Sequence, residues 1–229
     1  MTMKVIEPHI DILHLPDGET ILKHLELAAR TCYKSEDKIK NGSAAGLLKG
    51  LIKSGHHSIL EHISITVRIV CDRGITHEIV RHRICSFSQE STRYANYAKE
   101  KFGHEITVIR PFFWETNSDE YRQWASAIRA TEKAYLNLIA MGASAQQARS
   151  VLPNSLKTEI IVTANIREWR HIFNLRCDRA SHPQIRQIML PLLDTFKRKI
   201  PVLYQDLHDK YQKEIADFSN KAPIKVNVD

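Results

Sequence analysis

The chain has 229 residues, of which 43% are apolar and 26% are charged, and its formal net charge is +7. These are ordinary values for a globular protein, and a chain of this length buries a sizeable core without needing disulfides. The basic balance favours anionic partners (nucleotides, phosphorylated cofactors or nucleic acid) without choosing among them. No repeat, low-complexity tract or Pro/Gly/Ser-rich linker interrupts the sequence. We therefore predict a single domain over residues 1–229, with an extended or tail-like C-terminus.

The cysteines and the N-terminus indicate the compartment. Cys32, Cys71, Cys85 and Cys177 are scattered and form no C-x-x-C pair, which is typical of reduced thiols rather than of a disulfide framework or a zinc ribbon. Charged residues interrupt the N-terminal apolar stretch, which argues against a signal peptide. No run approaches the roughly 18 apolar residues of a membrane span. We expect a cytoplasmic protein.

Hydrophobic periodicity predicts the elements of the first half of the chain. In chain order they are two short strands broken at Pro8 within residues 2–14, a helix from Glu19, a helix from an N-cap at Ser43 to a stop at Gly55, a strand with one buried face over residues 63–69, a short helix over residues 75–83 and a polar loop over residues 84–97. The change from a helical period to strict alternation at residue 63 marks the first long strand.

Caps and prolines define the second half. Its predicted elements are a strand over residues 105–110, a long helix over residues 118–141, a helix from the capping box of Ser144 and Gln147 to Pro153, a strand over residues 157–164, a helix over residues 166–175 and a long helix from Pro183, kinked at Pro191. Strands occur singly between helices with irregular crossovers. This favours an α+β fold over a doubly wound sheet.

The densest group of polar residues follows the predicted short helix. Arg81, His82 and Arg83 precede a run rich in hydroxyls, which includes Ser91, and then Arg93. Arginine presents its donors as a rigid fork that suits phosphates and planar carbonyl edges, and hydroxyls add donors at little bulk. An oxyanion or nucleotide site and a solvated basic surface both fit this composition. Neither a Walker A motif nor G-x-G-x-x-G occurs, so any nucleotide or flavin binds without a familiar glycine loop.

Two further groups of residues suit more than one role. Three histidines within residues 56–62 lie between a helix stop and the strand, where they fit a metal, a cofactor or simple packing. Arg167 and Arg176 punctuate an amphipathic helix, and Arg149 precedes a helix stop. Taken alone, these arginines are ordinary surface residues.

One motif resembles a known family. Arg-His-Arg, then seven residues, then Ser is the signature of the flavin-dependent thymidylate synthases, and Arg81, His82, Arg83 and Ser91 match that spacing. Three further segments resemble the same family, in the family's order: residues 57–62, 148–153 and 174–176. The resemblance thus extends over most of the chain.

The resemblance implies an FAD-dependent methyltransferase of nucleotide biosynthesis. Such enzymes bind FAD, reduce it with NADPH, take a methylene group from methylenetetrahydrofolate and convert dUMP to dTMP. It also implies a homotetramer with active sites shared among subunits, and no metal, nucleic-acid or membrane partner. The implied fold is of the thymidylate synthase-complementing type: one α+β domain with a central mixed or antiparallel sheet flanked by helices.

Residue roles follow from the resemblance alone. The implied catalytic residues are Arg176, Ser91 and His56. The residues expected at the cofactors are His56, Ser58, Arg81, His82, Arg83, Gln89, Asn165, Arg167 and His171. Those expected at dUMP are Glu78, Arg81, Glu90, Ser91, Arg93, Arg149 and Arg176.

Within that set, Arg93 and Arg149 would hold phosphate, with Arg149 offered to a site on a neighbouring subunit, and Arg176 would address the uracil ring. Ser91 is expected to bind rather than attack, because no general base is evident beside it. Cys85 is not assigned as a nucleophile. The flavin would therefore carry the hard chemistry.

Two other functions stay open from the residues alone. A nucleic-acid-binding module is motivated by the net charge and predicts salt-dependent binding, although aromatic residues do not interleave with the basic ones. A metal-dependent hydrolase built on the histidines of residues 56–62 predicts stoichiometric zinc.

Overall fold

A computed structural model describes residues 3–228 of the chain. Its strands and helices are β1 (Lys4–Ile6), β2 (His9–His14), α1 (Gly18–Tyr33), α2 (Ser43–Lys53), β3 (Ser64–Asp72), α3 (Arg73–Ile79), β4 (Cys85–Gln89), β5 (Thr107–Ile109), α4 (Asp119–Ala140), α5 (Ala145–Ala148), β6 (Lys157–Asn165), α6 (Ile166–Arg176), α7 (Pro183–Lys199), α8 (Pro201–Lys210), α9 (Gln212–Lys221) and β7 (Lys225–Val228). Short 3₁₀ segments occupy Glu36–Lys38, Ser58–His62, Glu100–Phe102 and Arg149–Val151. Residue 2, where the first predicted strand region begins, lies outside the described residues.

Five strands form the main sheet in the order β4-β6-β3-β2-β7. The pairings β4–β6, β6–β3 and β3–β2 are antiparallel, and β2–β7 is parallel, so the sheet is mixed. Strands β1 and β5 form a separate parallel pair. Helices flank the mixed sheet, which confirms the predicted α+β fold.

Alternating burial explains why β3 is a strand. Ile65, Val67 and Ile69 are fully buried, whereas Thr66 and Arg68 between them are only half-buried. Successive side chains of a strand point to opposite faces, so this pattern buries one face. Strand β6 pairs with β3 along its whole length and alternates in the same way.

Helix α7 provides much of the core beneath that face. Its apolar residues Ile185, Ile188, Leu192 and Phe196 are all buried, and the helix continues through Pro191. It packs against α6, α8 and α9. The buried apolar side chains form a large cluster around α7 and the main sheet and a smaller one around α4 and β5. That the chain is a single domain stays a prediction.

The prediction for residues 75–83 is wrong in its bounds. Helix α3 begins at Arg73 because the Asp72 carboxylate caps it, accepting a hydrogen bond from the Ile75 N–H at 2.8 Å. The helix already ends at Ile79. Residues 81–83 therefore lie in a turn that follows α3, not at the end of the helix.

The predicted loop over residues 84–97 contains strand β4. Half-buried Cys85 and Phe87 alternate with exposed Ser86 and Ser88, which is the period of a strand. The polar side chains obscure that period in the sequence. What makes this segment a strand is its ladder to β6, and β6 lies far along the chain.

The ends of two other predictions also change. Gly42 is the N-cap of α2, and Ser43 is its first residue. The C-terminal tail is extended, as predicted, but it is the edge strand β7 beside β2, where the Asn227 amide donates to Asp11. Helices α8 and α9 were not predicted. Within residues 3–228, no helix combines the length and apolar character needed to cross a membrane.

Candidate active site

Strand β4 separates the two halves of the Arg-His-Arg and Ser signature. The turn of residues 81–83 precedes β4, and Ser91 follows its other end. Between its first and last residues the strand advances four steps of about 3.3 Å, or roughly 13 Å. The two halves of the signature therefore lie at opposite ends of one strand.

Arg176, the last residue of α6, is held at the first half. Its Nη1 donates to Glu78 Oε2, its Nη2 donates to the Glu78 carbonyl and its Nε donates to His82 Nε2, each at 3.0 Å. The structure thus brings together three predicted site residues from α3, the following turn and α6. The side chain of Arg176 is still 20% exposed, so it is not sealed from solvent.

His82 is buried and neutral at neutral pH. Burial, with repulsion from Arg176 and His171, lowers its pKa from 6.5 to about 4. Its Nδ1 lies 3.6 Å from Glu168 Oε1, and the ring of His171 packs edge-on with 5.8 Å between the ring centres. We call Arg176, Glu78, His82, Glu168 and His171 the Arg176 cluster.

The Arg176 cluster contains a group of potential metal ligands. The ligand atoms of His82, Glu168 and His171 lie within 4.8 Å of one another, and no other such group occurs among the described residues. However, Arg176 occupies His82 Nε2 and adds a positive charge beside it, which disfavours a cation. The histidines of residues 56–62 join no such group in residues 3–228, so the hydrolase hypothesis has no ligand set there.

The second half of the signature is open to solvent. Arg93 is exposed, with its guanidinium carbon 5.5 Å from the centre of the Tyr94 ring. Ser91 Oγ accepts a hydrogen bond from the Arg93 N–H at 3.3 Å. Arg149 donates from Nη1 to Thr92 Oγ1 at 3.5 Å, so both predicted phosphate ligands lie at one loop. We call residues 90–93, together with Arg149, the Ser91 loop.

Gln89 and Glu90 are engaged within the fold. The Gln89 amide donates to Thr76 Oγ1 at 2.9 Å, which joins β4 to α3. The Glu90 carboxylate accepts from Tyr97 Oη and from Lys157 Nζ, each at 3.1 Å. Sequence reasoning missed Tyr97 and Lys157, which anchor the start of the Ser91 loop. The roles of Gln89 at a cofactor and of Glu90 at dUMP stay predictions.

A third group of predicted residues borders a separate pocket. The pocket has a volume of about 350 Å³ between α1, α2 and α6, and the predicted cofactor residues in its wall are His56, Ser58 and Arg167. Arg167 Nη1 donates to Glu61 Oε1 at 2.6 Å, which ties residues 58–62 to α6. Asn165 acts as the N-cap of α6, accepting a backbone N–H of the first turn at 2.8 Å.

The candidate arginines differ in their pairing. Arg167 and Arg176 form ion pairs with Glu61 and Glu78. By contrast, no carboxylate within residues 3–228 pairs with any of four exposed arginines: Arg81, Arg83, Arg93 and Arg149. Their guanidinium forks are available to anionic ligands such as phosphates.

Glu168 is a site residue that sequence reasoning missed. Asn165 and Glu168 have the spacing of a helix capping box, so the sequence indicates only a helix start. The Glu168 carboxylate is nevertheless buried beside His82.

Burial and the nearby Glu168 also raise the pKa of Cys85 to about 12. Cys85 therefore remains a thiol at neutral pH, in agreement with its not being assigned as a nucleophile.

Fold and site together define the class: an α+β protein whose exposed arginines suit anionic ligands. Residues 15–202 match the family model of the thymidylate synthase complementing protein. The chain is 35% identical over 200 residues to a flavin-dependent thymidylate synthase of Geobacter sulfurreducens, with 84% of this chain and 83% of the relative covered. The corresponding enzyme of Pyrococcus abyssi is 34% identical over 168 residues, covering 72% and 68%. The chain belongs to the thymidylate synthase complementing protein family.

Solved structures have the same fold. A UMP/dUMP methylase, PolB, from Streptomyces cacaoi bound with 5-Br dUMP superposes with a TM-score of 0.73 at 23% identity, covering 91% of this chain and 98% of PolB. Thymidylate synthase X from Helicobacter pylori with FAD and dUMP gives a TM-score of 0.72 at 22% identity, covering 87% and 98%.

Proposed function

We propose that this protein is a flavin-dependent thymidylate synthase that converts dUMP to dTMP, with FAD, NADPH and methylenetetrahydrofolate. One observation carries the proposal. The same chain has a fixed, part-exposed Arg176 and also four exposed arginines that have no carboxylate partner in the described residues. All the proposed ligands are anionic. The family and the named relatives agree with this chemistry.

The residues suit FAD. Arg81 and Arg83 offer exposed guanidinium groups to a pyrophosphate. The pocket of His56, Ser58 and Arg167 offers polar donors against an apolar wall that includes Ile59 and Leu51. When bound, FAD supplies the hydride that completes the methyl group. His56 and Ser58 would then lie near both the flavin and the folate, with Asn165 and His171 supporting the flavin.

The Ser91 loop suits the phosphate of dUMP. Arg93 and Arg149 reach one loop and supply two forks for one phosphate, and Ser91 adds a hydroxyl. Arg176 would address the uracil ring. Since Glu78 and His82 already hold its guanidinium, it can stabilise negative charge that develops on the ring without first reorganising.

Self-association completes the site in this proposal. Arg176 and the Ser91 loop lie at opposite ends of β4, roughly 13 Å of strand apart, and the family resemblance implies that sites are shared among subunits. A neighbouring subunit would present its Ser91 loop to the Arg176 cluster. We therefore propose a homotetramer with shared sites, and we expect it in the cytoplasm.

The test is an absorbance spectrum of the purified protein with added FAD, followed by a dUMP titration and an assay of dTMP formation. We expect bound flavin, a spectrum perturbed by dUMP, and dTMP formation that needs NADPH and the folate. A protein that neither retains FAD nor responds to dUMP would contradict the proposal.

A further inference from the structure

We propose that Glu168 is a positioning residue: its carboxylate holds His82 in one tautomer, and His82 in that tautomer holds the Arg176 guanidinium. The inference deepens the proposed function, on which its kinetic part rests. The inference also accounts for the burial of the Glu168 carboxylate, since a glutamate in the first turn of a helix can stay exposed to solvent.

The placement of Glu168 is the first step. Glu168 lies in the first turn of α6, where glutamates are usually solvated, yet it is only 8% exposed. Its Oε1 lies 3.6 Å from His82 Nδ1. That distance is longer than a hydrogen bond but well within electrostatic reach in a buried setting.

The tautomer of His82 is the second step. The Arg176 guanidinium has no acceptor atom, so His82 Nε2 must present its lone pair to take the 3.0 Å hydrogen bond from Arg176 Nε. The proton of the neutral ring then sits on Nδ1, facing the Glu168 carboxylate. The opposite tautomer would set an N–H against Arg176 and a lone pair against Glu168, which is unfavourable at both nitrogens.

The charges around Glu168 are the third step. Besides His82, the groups that face it are His171 and Arg167 from α6 itself and Cys85 from β4. Burial raises the pKa of Glu168 above its ordinary value, while His171 and Arg167 oppose the rise. The carboxylate is therefore ionised above this raised pKa and loses its charge as the pH falls through it.

One experiment tests the tautomer without any assay of activity. Histidine-selective ¹⁵N labelling reports which ring nitrogen carries the proton, and the variant His82→Gln identifies the His82 signal. We expect the proton on Nδ1 in the wild type and a shift of population towards Nε2 in Glu168→Leu, which removes the acceptor that faces Nδ1. A wild-type proton on Nε2, or an unchanged population in Glu168→Leu, would overturn the proposal even if the enzyme had a different substrate.

A second experiment measures turnover of dUMP. Glu168→Gln should lower kcat about tenfold to hundredfold, as supporting residues behind a functional group do, with FAD content unchanged. The acid limb of the wild-type kcat profile should also move to lower pH in this variant, because His82, with a pKa of about 4, still titrates there. The matched control is Glu120→Gln, which removes an exposed glutamate from the first turn of α4 and should leave kcat unchanged.

A double-mutant cycle separates positioning from general support of the fold. If Glu168 acts through His82, its substitution should have little further effect on kcat in a His82→Gln background. Full additivity of the two substitutions, or a Glu168→Gln enzyme that keeps the wild-type kcat and pH profile, would overturn the inference. An inactive wild type would instead contradict the proposed function, while the ¹⁵N measurement would still decide the role of Glu168.

Discussion

The two ends of β4 differ in how their arginines are held. At the first end, Arg176 makes three hydrogen bonds to Glu78 and His82 and is mostly buried. At the other end, Arg93 is exposed, stacks on Tyr94 and has no carboxylate partner in residues 3–228. A fixed guanidinium suits charge that develops during a reaction, whereas a free one suits capture of a ligand that is already charged. We infer that the first end serves turnover and the second end serves binding.

The largest expected effect is that of Arg176→Ala. We expect kcat to fall about 10²- to 10³-fold, the loss typical of removing one preorganised donor from an active site. FAD should remain bound, and single-turnover formation of dTMP measures the loss. The control is Arg179→Ala, which removes a nearby arginine that is exposed and paired with Glu214. An unchanged kcat in Arg176→Ala would refute its assignment to turnover.

Next in size is Arg93→Ala, which should weaken dUMP binding while FAD stays bound. A hydrogen bond to a charged group contributes about 1.5–3 kcal/mol, which corresponds to roughly a tenfold to hundredfold increase in Kd. The dUMP titration of the flavin spectrum measures this change. Arg122→Ala, on the exposed face of α4, should bind dUMP as the wild type does. Equal affinity in wild type and Arg93→Ala would contradict the role of Arg93.

Mixing the two variants sharpens the comparison further. If each site joins the Arg176 end of one subunit to the Ser91 loop of another, co-refolded Arg176→Ala and Arg93→Ala chains regain activity. Random mixing leaves about one site in four with both halves intact. Recovery towards that fraction of wild-type activity is the expected result. Activity no higher than the mean of the two separate variants would place both ends in one subunit's site.

The smallest effect concerns stability at acid pH. In the folded protein the pKa of His82 is lowered to about 4, compared with 6.5 for an ordinary histidine, so His82 stays neutral until the pH approaches 4. The unfolded chain therefore binds more protons in this window, so the free energy of unfolding should fall as pH decreases from about 6.5 towards 4. Thermal unfolding of the wild type and of His82→Gln measures it, and the variant should have a shallower slope. The control is His77→Gln, which removes an exposed imidazole from α3. It separates the effect of losing a buried imidazole from the effect of losing any imidazole.

Much of the fold was predictable because its signals are local. Alternation over residues 63–69, the capping box of Ser144 and Gln147, and Pro183 at a helix start each depend on neighbours in the chain, and each is confirmed. Strand β4 was missed because its alternation spans only five residues within a polar stretch, and because a distant strand supplies its hydrogen-bond partners.

The sequence by itself determined the family signature and the identity of the candidate residues, because residue types and their spacing can be read without knowledge of the fold. Only the tertiary structure decided that Arg176, His82 and Glu168 form one contact chain, because α6 packs beside the turn after α3. It also decided that Ser91 lies a strand's length from His82. Spacing along the chain cannot distinguish a tight loop from an extended strand. Here the pairing with β6 makes residues 85–89 an extended strand.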